Sequence, residues 1–280
     1  MNEVSDWLKI TSILGIAATT YLIYENNSIA IKEYELFTRK TPSAFKGFKI
    51  LHLNNLYGKS FGIDNYRLIE KIQSLKPDII VTTGNMLTSR LDKDFIFLEL
   101  CKNLRSFYPI YYAIESPASL KNEKNNKYKI YLEKLRDAGI ILLKDNKVSL
   151  IKKEDKLNIY GVFIEPDEIK KYYFKERNRE LVFSKKEIES KLGEPNRSEF
   201  NVVLTNDVVN FEAYVKWGSD ITFSGYSRII NRYIFNNLME RKKGIFIERD
   251  SSMILSRGLG NKFLRIRIKN RPEITLVTIR

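Results

Sequence analysis

The feature that most constrains this chain is a repeated order in which a short apolar strand ends in a polar turn and a helix follows. The first unit has an apolar strand at 50–53, a polar turn and a helix predicted over 66–76, with Asp64 expected as its N-cap. Strand 78–83, helix 92–105 and strand 110–114 continue the pattern. Short connections in a βαβαβ order indicate a stacked α/β architecture, whose chemistry is expected where the strands end.

The remaining segments extend the same architecture. An edge strand is predicted at 29–37, and Gly139 is expected to end a helix over 128–138. A charged excursion is predicted over 165–197, with one short helix near 185–191. The other predictions are a helix at 209–217 and strands at 140–143, 148–151, 157–163, 200–204, 220–223, 244–248, 253–256, 263–268 and 274–279.

Two residue types are almost missing, and this excludes several kinds of site. Cys101 is the only cysteine, which excludes an intramolecular disulfide and a cysteine-based metal cluster. His52 is the only histidine, so a histidine-rich metal site is excluded as well. Because His52 falls within the apolar strand 50–53, we expect a hydrogen-bonded sheet residue rather than a catalytic one.

The chain is strongly basic, and the charge is concentrated near one end. The net charge is +14, and residues 241–280 hold eleven Lys and Arg against three Asp and Glu. Arg265, Arg267 and Lys269 alternate with apolar residues, a pattern that predicts a half-buried strand with a basic outer face. That face is either simply solvated or binds anionic lipid or another polyanion. Nucleic acid is not expected, because these strands lack a recognition motif and stacking aromatics.

The N-terminal segment predicts a membrane anchor. Residues 10–24 carry no charge, and a spanning helix needs about 17–25 residues, which is reached if the helix extends back to Trp7 and Lys9 snorkels. Trp7, Tyr21 and Tyr24 fall where interfacial aromatics occur. We expect an uncleaved single-pass anchor over 1–25, followed by one domain over 26–280; a signal peptide and a buried core helix are the alternatives.

The side of the membrane is left open by the sequence. Basic residues follow the segment, which favours a cytoplasmic domain, but long domains can cross regardless of charge.

Five turns give the chain a resemblance to a known family. They are Asn54-Asn55-Leu56-Tyr57-Gly58, Gly84-Asn85, Glu115-Ser116-Pro117, Leu204-Thr205-Asn206 and Ser224-Gly225-Tyr226-Ser227-Arg228. In this order, each after a predicted strand, they resemble the metal-binding turns of the calcineurin-like metallophosphoesterases, membrane-anchored bacterial type. The residues 256–261 and 270–274 resemble the C-terminal signature of that group. The resemblance implies a four-layer α/β/β/α sandwich behind an N-terminal anchor.

The resemblance also implies two divalent metals such as Mn, Fe or Zn, and here the chain departs from the family. The position of the family's catalytic histidine is Pro117. The positions of its metal ligands are Asn55, Tyr57, Asn85, Ser116, Asn206, Tyr226 and Arg228. Asparagine keeps the shape of aspartate without its charge, and Arg228 adds a fixed cation. We therefore expect no bound metal and no catalytic residue.

The functional expectation that follows is a catalytically inactive phosphoesterase-fold protein, tethered to the membrane and acting in binding or scaffolding. Its former metal pocket would either pack on itself or bind an anion through Arg228, Asn55, Asn85 and Asn206. The alternative is a residual phosphoester hydrolase with a non-standard site, for which Glu115, Asp207, Asp64 and His52 are the candidate residues. No protein partner is predicted.

Overall fold

The computed structural model describes residues 2–38, 40–87, 93–114, 126–164, 184–206, 211–225, 244–260 and 266–280. The predicted alternation of strands and helices is confirmed over these ranges. The helices are α1 (Asn2–Asn27), α2 (Tyr66–Leu75), α3 (Asp94–Arg105), α4 (Asn126–Asp137), α5 (Lys185–Leu192) and α6 (Phe211–Trp217). The strands are β1 (Ala30–Leu36), β2 (Lys49–Asn54), β3 (Ile79–Thr83), β4 (Ile110–Ala113), β5 (Ile141–Leu143), β6 (Asn146–Lys152), β7 (Asp155–Gly161), β8 (Phe200–Thr205), β9 (Ile221–Gly225), β10 (Gly244–Glu248), β11 (Ser251–Ser256) and β12 (Glu273–Ile279).

The strands form two six-stranded mixed sheets. The first has the order β1-β12-β2-β3-β4-β5, with β1 at the edge as predicted. In it β12 and β2 are antiparallel, and the other neighbours are parallel. The second has the order β10-β11-β9-β8-β7-β6, with antiparallel pairs only at its two edges. Strands β2 to β5 of the first sheet and β11, β9, β8 and β7 of the second are therefore parallel, and within each set the carboxyl ends lie at the same edge of the sheet.

Three apolar cores arrange these sheets and helices in four layers. One core joins α2, α3 and α4 to the outer face of the first sheet. A second lies between the two sheets, and a third joins α5 and α6 to the outer face of the second sheet. The result is an α/β/β/α sandwich. Strands buried on both faces explain why β3 and β8 are continuous apolar and threonine-rich runs rather than alternating ones.

One helix, α1, is long and apolar enough to cross a membrane. The qualifying segment covers 22 residues from Asp6 to Asn27, and none of its most apolar window is buried in the protein. This exposure argues against the alternative of a buried core helix. Near its end the helix meets the domain, and Glu25 there is 7% exposed.

The expected N-cap at Asp64 is wrong. Asp64 lies in a short 3-10 turn with φ of 50°, and Asn65 precedes α2 with φ of 62°. Neither side chain caps the helix; instead the buried Asn65 Oδ1 accepts a hydrogen bond from the backbone N–H of Phe61 (3.0 Å). Two successive left-handed residues turn the chain so that Asn65 faces inward and Asp64 faces solvent.

The predicted basic strand over 263–268 is wrong where the structure describes it. Residues 266–268 are not a strand, and residues 263–265 lie outside the described ranges. The sides are also reversed, because Arg267 is 5% exposed, whereas Ile266 and Ile268 are 50% and 63% exposed. The Arg267 guanidinium donates to the backbone oxygens of Arg257, Gly260, Asn270 and Arg271, and these carbonyls are the reason for its burial.

Candidate functional site

The turns that follow β2 and β3 are joined to each other by backbone hydrogen bonds. Both strands end together, with Asn54 opposite Thr83. Beyond them, the backbone N–H of Tyr57 donates to Asn85 O (3.0 Å), and the N–H of Gly58 donates to Met86 O (3.1 Å). Asn55 and Tyr57 have φ of 49° and 50°, the left-handed conformation that lets the chain turn here without a glycine.

Two predicted site residues meet in this unit. The Asn55 side-chain oxygen accepts a hydrogen bond from the backbone N–H of Asn85 (2.8 Å). The position where the resemblance places a metal ligand is thus a buried acceptor for a neighbouring turn, since Asn55 is 6% exposed. This is a structural role that an asparagine oxygen performs without charge.

Glycines bring the backbone of other turns against the same asparagines. A Cβ at Gly84 would overlap the side-chain oxygens of Asn54 and Asn55, and a Cβ at Gly225 would overlap the Asn54 side-chain amide. Gly258 lies equally close, because a Cβ there would come within 2.9 Å of both Asn54 O and Asn55 Cβ. At the ends of these strands, the side-chain amides of Asn54 and Asn55 are therefore in close contact with the backbone of the three glycines.

The segment after β11 completes this edge. Leu259 N donates to Asn54 O (2.8 Å), and Gly260 N donates to Asn55 O (2.7 Å). The Asn54 side chain is fully buried, and its Nδ2 donates to Ser256 O at 3.4 Å. We name this cluster of Asn54, Asn55, Gly84, Gly225 and Gly258 the asparagine edge.

Below the asparagine edge, His52 lies in the sheet as predicted. It is fully buried, its Nε2 is hydrogen-bonded to Thr83 Oγ1 (2.7 Å), and its ring centroid is 5.1 Å from that of Phe223. Burial lowers the pKa of His52 from 6.5 to about 3, so the ring is neutral at physiological pH. His52 Nδ1, Asn54 Oδ1 and Ser224 Oγ are buried without a hydrogen-bond partner in the described chain.

The remaining predicted site residues are described only in part. Asn206 follows β8 directly and is half-buried. Asp64, a candidate for the residual hydrolase, is exposed on the turn before α2. The predicted positions Ser116, Pro117, Tyr226 and Arg228, and the candidates Glu115 and Asp207, lie outside the described residues.

The donors at the asparagine edge do not fit a two-metal centre. Two adjacent divalent cations need anionic oxygens between them, and the edge offers neutral amides, of which Asn55 Oδ1 already accepts a backbone N–H. Within the described ranges, no three His, Cys, Asp or Glu side chains come together as a metal site.

Sequence reasoning missed the part that Asn54 plays. The motif directed attention to Asn55 and Tyr57, whereas Asn54 is the side chain that touches the last residues of β9 and β11. The glycines 84, 225 and 258 were visible in the sequence. They indicate close backbone approach only once the partner is known.

Comparisons with known proteins add little to this geometry. No family model matches the chain, and a search of the curated proteins finds no match. Five chains among the solved structures match. One is the phosphopantetheinyl hydrolase (PptH) from Mycobacterium tuberculosis, which is 9% identical, covers 80% of this chain and 97% of its own, and gives a TM-score of 0.45.

A second crystal structure is 11% identical, with 74% of this chain and 89% of that chain covered and a TM-score of 0.40. Neither TM-score is high enough to carry a conclusion about this chain. The resemblance to the calcineurin-like family therefore rests on the sequence motifs alone.

Proposed function

We propose that this chain is a catalytically inactive phosphoesterase-fold protein that works in binding or scaffolding at a membrane. Residues 1–25 would be its anchor and residues 26–280 its domain. The observation that carries the proposal is the asparagine edge. Asn55, one of the positions where the resemblance places a metal ligand, is a buried neutral amide whose oxygen already accepts a hydrogen bond from the Asn85 backbone, and Gly84 lies close against it.

The anchoring part of the proposal is supported by the exposure of α1. The most apolar window of this helix, within Asp6–Asn27, is not buried against the described domain. Transfer of such a surface into a bilayer is strongly favoured, because apolar area leaves water. Replacing Ile13 and Ile16 with lysine should move the full chain from the membrane pellet to the soluble fraction, since each central lysine costs roughly 2.5–3.5 kcal/mol.

We also propose that Asn55, Asn85, Asn206 and Arg228 are the residues to test for anion binding near the former metal positions. Asparagine amides and a guanidinium are donors that suit a phosphate or carboxylate. If Arg228→Ala leaves the affinity for inorganic phosphate unchanged, this part of the proposal fails and the asparagines are packing residues.

The decisive experiment measures metal content and turnover on the same sample. The full chain, purified in detergent, is analysed by mass spectrometry for bound metal and assayed with an aryl phosphodiester in the presence of Mn²⁺. We expect no stoichiometric metal and no turnover above the buffer rate. Stoichiometric metal with turnover would support the residual hydrolase instead, and Asn55→Ala would show whether that turnover belongs to the asparagine edge.

A further inference from the structure

The end of α1 is fixed to the domain by polar contacts rather than by a free linker. Glu25 Oε2 accepts a hydrogen bond from the backbone N–H of Asn270 (3.1 Å). Arg271 donates to Ser28 twice, from Nε to the carbonyl oxygen (3.2 Å) and from Nη2 to Oγ (2.6 Å). Lys59 Nζ donates to Asn26 O. These contacts fix the domain surface around Arg271 next to the C-terminal end of α1.

A cationic pocket opens on this surface. It has a volume of about 430 Å³, within the range of small-ligand sites, roughly 300–1,000 Å³. No carboxylate lines it, and four of its seven lining residues are cations. The lining residues are Ile29, Ala30, Ile31, Lys32, Lys71, Arg257 and Arg271. We name it the anchor pocket.

One carboxylate, that of Glu273, is paired with a lining arginine of the anchor pocket and offsets part of its charge. Glu273 is 3% exposed at its side chain and pairs with Arg257, Oε2 to Nε, at 2.9 Å. No ion pair to an acidic residue is found for Lys32, Lys71 or Arg271 in the described part of the chain. Three cations without a carboxylate, held around one cavity, favour an anionic ligand.

An aromatic residue sets the depth of the anchor pocket relative to a bilayer. The Arg271 guanidinium lies 5.3 Å from the centroid of the Tyr24 ring. Tyr24 is the last residue of the uncharged run, where aromatic side chains mark the headgroup region. Since Tyr24 and Ser28 are separated by about one helical turn, or ~6 Å, the pocket lies at headgroup depth when α1 spans the membrane.

Exposed apolar side chains lie beside the same helix end. Ile266 and Ile268 are 50% and 63% exposed, and the residue between them is hydrogen-bonded to Asn26. Lys269 follows and is exposed. Apolar side chains next to cations are typical of a surface that enters the interface of an anionic membrane.

We propose that the anchor pocket binds the phosphate of an anionic phospholipid such as phosphatidylglycerol. Arg271 uses its Nε hydrogen and one Nη2 hydrogen on Ser28, so its other guanidinium hydrogens would donate to phosphate oxygens, and the two lysines supply charge. The pocket's depth and the adjacent isoleucines favour a lipid over a soluble phosphate. The inference rests on the anchoring part of the proposed function and is independent of catalytic inactivity.

The test changes the two lysines of the pocket and leaves its arginines in place. Arg257 pairs with the buried Glu273, and Arg271 holds Ser28, so changing either would disturb the fold. The variant is K32Q/K71Q. The matched control is K129Q/K152Q, which removes the same charge from two exposed lysines on α4 and β6 that do not line the pocket.

The measurement is lipid binding to the full chain in neutral detergent by native mass spectrometry. We expect phosphatidylglycerol to bind the unaltered chain more tightly than phosphatidylcholine, K32Q/K71Q to weaken that binding roughly tenfold or more, and K129Q/K152Q to leave it within about twofold. Equal weakening by both variants, or equal binding of the two lipids, would overturn the pocket. Displacement of the lipid by equimolar glycerol 3-phosphate would reassign it to a soluble phosphate.

Membrane association is scored separately, by sedimentation of cell membranes after a high-salt wash. A chain that binds phosphatidylglycerol selectively in detergent but does not sediment would overturn the anchor and not the pocket. A chain that sediments without lipid selectivity would overturn the pocket and not the anchor.

Discussion

Asn26 and Arg267 bind each other through two hydrogen bonds, although 241 residues separate them. The Asn26 Nδ2 donates to Arg267 O (3.2 Å), and the Arg267 N–H donates to Asn26 Oδ1 (2.8 Å). The Asn26 side-chain amide, in the last turn of α1, thus makes the pair of hydrogen bonds that a neighbouring strand would make to the backbone of Arg267. This pair gives the anchor a defined orientation on the domain.

Removing the Asn26 amide should loosen that attachment. Asn26→Ala removes both hydrogen bonds to the Arg267 backbone, so we expect the free energy of unfolding of the full chain to fall by about 1–3 kcal/mol. Asn27→Ala is the control, because Asn27 Nδ2 bonds only to Ile23 O within the helix (2.8 Å). Denaturant titration in detergent measures the free energy of unfolding of both variants. Equal losses for Asn26→Ala and Asn27→Ala would show that the two Asn26–Arg267 hydrogen bonds contribute no stability.

Arg267 itself should be a stability residue and not a ligand-binding one. Arg267→Met removes the donor shared by a set of backbone carbonyls, and we expect a loss of about 2–4 kcal/mol in unfolding free energy. Lys269→Met, two residues later and exposed, should change it by less than about 0.5 kcal/mol. A thermal or denaturant series checks the contrast, and similar small effects at both positions would contradict the buried assignment.

The asparagine edge should not tolerate a methyl group at Gly84. Gly84 has φ of +71°, and its Cβ would overlap the Asn54 and Asn55 side chains. Gly47 has φ of +80° but open space around it, so Gly47→Ala carries only the conformational cost, about 1–2 kcal/mol. We expect Gly84→Ala to cost about 1–3 kcal/mol more than Gly47→Ala. Comparable unfolding midpoints for the two variants would mean that the edge has room.

His52 should make stability depend on pH through a single group. The pKa of His52 is about 3 in the folded protein and near 6.5 in the unfolded chain. Between pH 3 and pH 6.5 the imidazole is therefore protonated in the unfolded chain and neutral in the folded protein. The contribution is fully present above about pH 6.5 and declines by about 1.4 kcal/mol per unit as the pH falls toward 3.

The comparison for His52 is with His52→Gln, which cannot titrate. Between pH 7 and pH 5 the unaltered chain should lose about 2 kcal/mol more unfolding free energy than the variant. Because His52 is the only histidine, the difference between the two curves isolates it. If unfolding free energy depends on pH in the same way in both proteins, the His52 ring is solvated in the folded protein.

Local patterns in the sequence predicted a stacked α/β fold, and the family resemblance added its four layers. Period-two and period-3.6 spacing of apolar residues marks most of the described strands and helices within a few residues, because burial of one face is a local requirement. Gly139 was expected to end its helix, and its left-handed φ of 78° does so, with Gly139 N donating to Arg136 O (2.8 Å). The turns after β2 and β3 lie together at the ends of those strands, where the chemistry was expected from the sequence.

The sequence by itself thus determined the order of the elements, the apolar helix α1 and the near-absence of histidine and cysteine. Only the tertiary structure decided which polar residues are buried. Alternation placed Arg267 outside and its isoleucine neighbours inside, and the fold reversed this because carbonyls from residues 257 and 260 converge on the guanidinium. The anchor pocket also combines residues 29–32, 71, 257 and 271, which no local pattern connects. Long-range chain pairing creates such environments, and a side chain's spacing along the sequence does not record them.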